Sequence, residues 1–107
     1  MEAQSEAATI GIAERELLDS IALEARRTVD AVREAAEIAA GLEGTVRQAE
    51  RLLAMSEKGF ELGVKTRLDV DDAQLNLTLA RGNLARARRD YLAARTQLAW
   101  VEGSLVP

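Results

Sequence analysis

The sequence predicts an all-α protein, a long antiparallel coiled-coil helical hairpin that associates into a helical bundle. Three observations carry this. The only proline is the last residue, Pro107, so no interior position loses a backbone N–H or clashes with the preceding turn. Ala, Glu, Leu and Arg are frequent and β-branched blocks are lacking, which favours long helices over strands. Two heptad runs are joined by one short glycine-bearing turn.

The first run steps by three and four through Leu18, Ile21, Ala25, Thr28, Val32, Ala35, Ala39, Leu42, Val46, Ala49, Leu53, Ser56 and Phe60. A seam sustained over several heptads signals coiled-coil packing. The helix is placed at about 14–62. The stretch 1–13 has a weaker pattern, contains Gly11, and is expected to fray as an N-terminal extension.

The turn is placed at about 63–68. Gly63 suits the left-handed position that follows a helix C-terminus. Thr66 or Asp69 can cap the next helix, because each is followed three residues later by an acid able to reach back. A connection this short folds the helices back antiparallel.

The second run steps through Val70, Ala73, Leu77, Ala80, Leu84, Ala87, Tyr91, Ala94, Leu98, Val101 and Leu105. Large residues alternate with alanine, so two backbones can approach closely while the large side chains fill the gaps. This helix is placed at about 69–102, shorter than the first, so the hairpin should overhang at the end away from the turn.

A second apolar stripe lies off each seam. Leu68, Leu75, Leu79, Ala93, Thr96 and Trp100 form it on the second helix, and Leu17, Ala31, Ile38 and Leu52 on the first. A lone hairpin buries one stripe per helix, whereas a helix with a neighbour on each side needs two. Self-association to a dimer or higher is expected, with a four-helix bundle favoured for this chain alone.

Composition narrows the function. A chain of 107 residues is one domain, and its hydrophobic content of 48% includes only 3% aromatic residues. Cysteine and histidine are absent, which removes disulfides, thiolate nucleophiles, imidazole bases and the common zinc sites. No acidic spacing matches a calcium loop, and no glycine-rich phosphate loop occurs. Neither an enzyme nor a cofactor or metal site is predicted. The net charge of −4 argues against nucleic acid. The basic cluster Arg86, Arg88 and Arg89 reads as a solvated face near the acids of the first helix. No signal peptide is expected from the N-terminal residues, and no apolar run is long enough to span a membrane as a helix.

The stretch from Phe60 to Gln74, F-E-L-G-V-K-T-R-L-D-V-D-D-A-Q, resembles the signature of TolC-like outer membrane factors. In that family an aromatic residue precedes a glycine, a polar or basic stretch follows, and a D-V-L-D-A-Q type segment comes next. Downstream, Ala80, Leu84, Ala87, Asp90-Tyr91-Leu92, Leu98 and Gly103 fall where the family shows its closing pattern. The resemblance covers about residues 18–105 and matches the second of the family's two helical repeats. It implies a segment of a longer protein, in which three copies form a helical tunnel through the bacterial periplasm below an outer-membrane β-barrel. The turns would lie at the inner-membrane end, closing the aperture and meeting a periplasmic adapter protein of an export pump.

Site expectations follow from that resemblance. Asp69 and Asp72 match aspartates placed around the closed aperture, where three copies would form cation-attracting rings; carboxylates in a first turn also simply stabilise a helix N-terminus. Lys65 matches a basic residue linked to closure, and Arg67 flanks it; a solvated loop cation is the plain alternative. Gly63, Val64 and Leu68 are candidates for docking the adapter, although Gly63 could merely end the helix and Leu68 cover the seam. Tyr91 and Trp100 read as packing residues. Asp71 stands where the family usually has leucine. Two alternatives remain open: the hairpin of an adapter protein, and a purely structural coiled-coil module.

Overall fold

The computed structural model describes residues 2–105, with side chains described for 4–103. It contains two helices, α1 (Glu2–Glu61) and α2 (Arg67–Leu105), joined by residues 62–66 and folded back on each other. Among the described residues there is no strand. The molecule measures 92 × 22 × 14 Å. A helix of 60 residues rises about 90 Å at 1.5 Å per residue, so α1 alone sets the long dimension. The predicted all-α hairpin is the observed fold.

The seam is nearly the predicted one. Ala39, Val46 and Ala49 of α1 are buried against Ala73, Leu77, Ala80, Leu84 and Ala87 of α2, and Val101 closes the far end. Leu77 is the best covered, at 3% exposure, with Leu42 and Leu53 packed alongside its cluster. Thr28 is a polar member of the seam at 6% exposure, and its hydroxyl donates to the Glu24 carbonyl, 2.8 Å away. That bond removes the cost of burying an unpaired hydroxyl.

Charges follow the same register. Arg81 faces Glu50 at 3.8 Å and Arg88 faces Glu43 at 3.5 Å, so the two pairs are spaced seven residues apart on both helices. Both pairs are largely exposed and add little energy, but they match only one antiparallel alignment. Of the basic cluster, Arg88 pairs across the hairpin, Arg89 pairs with Asp90, and Arg86 donates to Asn83.

Four expectations meet a different structure. Helix α1 begins at Glu2 rather than near residue 14, because Ala-rich and Glu-rich sequence stays helical without tertiary support. Residues 4–20 are nonetheless all exposed, and Leu18, expected in the seam, is 66% exposed; α2 is too short to reach it. At the other end Phe60 is 45% exposed while Gly59 is buried, since the returning loop lies over Gly59. The second helix begins at Arg67, two residues before the expected start, and extends to Leu105. The side chain of Leu105, the last seam position of the sequence pattern, lies outside the described residues.

The second stripe is on the surface. Leu17, Ile38 and Leu52 of α1 and Leu68, Leu75, Leu79 and Trp100 of α2 are exposed, as are Ala31, Ala93 and Thr96. A layer only 14 Å thick has no second interior to hide them in.

Candidate functional site at the hairpin tip

The tip is built from two interlocking helix caps. At the end of α1, Gly63 adopts φ +75°, a conformation glycine reaches without the clash a Cβ would bring. Its N–H donates to the Phe60 carbonyl at 3.1 Å, and the Val64 N–H donates to the Gly59 carbonyl at 2.8 Å. These are the two bonds of a Schellman motif. The Lys65 N–H shares the Gly59 carbonyl at 3.1 Å, which draws the chain down over α1.

At the start of α2 the choice between Thr66 and Asp69 is resolved in favour of Thr66. The Asp69 N–H donates to Thr66 Oγ1 at 3.2 Å, and the Thr66 N–H donates to Asp69 Oδ2 at 2.8 Å. This reciprocal pair is a capping box, with Thr66 as cap and Asp69 three residues in. The Thr66 hydroxyl donates to the same Oδ2 at 3.0 Å. The backbone bond first and the hydroxyl bond second hold the Asp69 carboxyl below its ordinary value of 3.8; the Lys65 charge adds to this and slight desolvation opposes it.

Lys65, Asp69 and Asp72 come together on one flank of the tip. They line a shallow cleft between the helices together with Leu52, Ser56 and Asn76. Among the described residues the Asp72 side chain makes no hydrogen bond or ion pair, and the Lys65 ammonium makes no direct ion pair. The two aspartates therefore differ: one is bound into a cap and the other presents its charge. Asp71 is exposed, so its charge breaks no contact within the hairpin.

Gly63, Val64 and Leu68 are all exposed at the apex, and Leu62 is exposed beside them. Together they make a small apolar tip. The sequence reading missed Leu62, and it also missed Gly59. A signal for Gly59 was present in its place four residues before Gly63, where a returning loop crosses the last helical turn. Tyr91 lies half-buried at the seam under the Arg95 guanidinium, 5.6 Å from its ring centre. Arg67 is exposed.

Among the described residues no group of three or more His, Cys, Asp or Glu could hold a metal ion. Neither helix is long and apolar enough over its described residues to cross a membrane. The arrangement offers a charged flank, an apolar apex and long exposed apolar faces.

Comparison with known proteins agrees with the turn motif. The sequence profile described as "Outer membrane efflux protein" matches residues 4–104. Outer membrane protein TolC of Vibrio cholerae serotype O1 is 40% identical over 63 residues, which are 59% of this chain and 14% of that protein. The chain thus spans a small part of the length of this relative. No solved structure matches.

Proposed function

Because the chain belongs to the outer membrane efflux protein family, we propose that it is a stave of the periplasmic helical tunnel of such a channel. Its tip would close the aperture and dock an adapter protein. The observation that carries this reading is the shape and patterning of the hairpin. A layer 92 Å long and 14 Å thick buries one stripe per helix and leaves a second stripe exposed along both helices. A stave between two neighbours needs that patterning, and a free-standing hairpin does not. In the family such channels are trimers that meet adapter proteins, and that assembly is proposed for the parent of this chain. The function is conduction and docking, with no reaction catalysed. Family membership favours a channel wall over the hairpin of an adapter protein.

Within this reading Asp69, Asp72 and Lys65 are the gate. Three copies of the flank around an axis would gather six carboxylates from Asp69 and Asp72, a ring that attracts cations and is sensitive to ionic strength. Gly63, Val64 and Leu68 form the docking apex, where the absence of a side chain at Gly63 and the small apolar groups beside it allow another hairpin to come close. The test is block of channel current by divalent or trivalent cations in planar bilayers, in a channel carrying this hairpin. Asp69→Ala with Asp72→Ala should weaken the block sharply, whichever way the resting leak moves. A block left unchanged would reduce the aspartates to helix-terminal charges.

A further inference from the structure

Gly59 is the one buried glycine of α1, and its conformation is ordinary helix. Backbone freedom therefore does not explain it, and glycine inside a helix weakens that helix relative to alanine. The space above it does. A Cβ at Gly59 would stand 3.1 Å from the Lys65 Cβ, collide with the Lys65 Cγ, and touch Val64 Cγ2 at 3.5 Å. Gly41 and Gly82, also helical, have nothing within 4 Å of the same position. The crowding atoms are the stem of Lys65, so a simple swing of the side-chain end does not relieve them.

We propose that Gly59 is a positioning residue of the tip: the space it leaves is the seat of the Lys65 stem, and that seat holds the ammonium on the flank shared with Asp69 and Asp72. Two contacts converge on this one residue. Its carbonyl accepts the Val64 and Lys65 N–H groups, and its bare Cα face receives the Lys65 methylenes. Lysine suits such a place because its apolar stem covers surface while its charged head stays in water. Lys65 lines the cleft together with Asp69 and Asp72, and its charge acts on the Asp69 carboxyl. The proposal deepens the reading of Lys65 as a gate cation and rests on that reading only for its purpose. The contact itself is tested in the hairpin alone, so failure of either leaves the other standing.

The test compares this chain with Gly59→Ala, Lys65→Gly and the double variant. Gly59→Ala should speed amide hydrogen exchange at Val64 and at residue 65 by about tenfold, the factor equivalent to about 1.4 kcal/mol. In the Lys65→Gly background, where the crowding atoms are gone, adding Gly59→Ala should leave those rates unchanged and raise the thermal midpoint. The positional readout is the Asp69 carboxyl titration followed by NMR. It should move up in Gly59→Ala as the ammonium is displaced, move up in Lys65→Gly as the charge is lost, and move no further in the double variant. If Gly59→Ala stabilises both backgrounds alike, or loosens the tip equally in both, Lys65 is not what Gly59 seats. An Asp69 titration unmoved by Gly59→Ala would overturn the positioning role.

Discussion

Replacing Leu77 with alanine isolates the energy of the seam. Leu77 is 3% exposed, while Leu79, two residues on, is 56% exposed on the opposite face of the same helix. The substitution removes about three carbons, worth roughly 0.8 kcal/mol each when buried, or about 2.4 kcal/mol. A residual cavity would add to this, and core Leu→Ala changes span about 2–5 kcal/mol. The seam is flanked by solvent on both sides of a thin layer, so Leu42, Leu53 and Leu84 can relax toward the gap. The expected loss is therefore in the lower part of that range, about 2–3 kcal/mol. Leu79→Ala should cost the dilute hairpin less than about 0.5 kcal/mol, as for other exposed substitutions. Urea unfolding followed by circular dichroism, at a protein concentration low enough to keep the chain monomeric, measures both. Equal losses at the two positions would refute the assignment of the seam to the face bearing Leu77. A loss at Leu79 that grows with protein concentration would show that the second face is covered by association.

Gly63→Ala should destabilise by about 1–2 kcal/mol, the left-handed cost of a Cβ, because φ is +75° and no neighbour crowds the position; Gly63→Asn should cost less in the same urea assay. The Asp69 carboxyl titrates lower in the folded chain than its ordinary 3.8, so its stabilisation is fully present above that value and is lost as pH falls through the folded value. Acid unfolding of Asp69→Asn should lack that component, and Thr66→Val should move the Asp69 titration upward, as read by NMR. Sedimentation equilibrium should show association of the chain at high concentration, with a dimer as the main species; a monomer of 11.6 kDa persisting to about millimolar, well beyond micromolar dissociation constants, would remove the inference drawn from the second stripe.

What the sequence determined by itself is local or periodic. The absence of interior proline, the two heptad runs and the glycine-bearing turn specify two helices, their facing stripes and their antiparallel return. Each rests on bonds within a few residues or on a repeat that any packed helix must obey. The grouping of Asp69 and Asp72 near Lys65 was legible because all three lie within one turn and the first helical turns beside it. What only the tertiary structure decided depends on how the chain meets itself. Leu18 satisfies the heptad but stays exposed, because the reach of α2 is set by its length and by the register that the Glu43–Arg88 and Glu50–Arg81 pairs mark. Thr66, not Asp69, became the cap, because the Schellman bonds to Gly59 and Phe60 place residue 66 where α2 must start. Gly59 replaced Phe60 in the buried seam for the same reason: periodicity along one helix says nothing of a loop that returns across its last turn, and there the close approach of the Lys65 stem to the Gly59 backbone overrides the heptad.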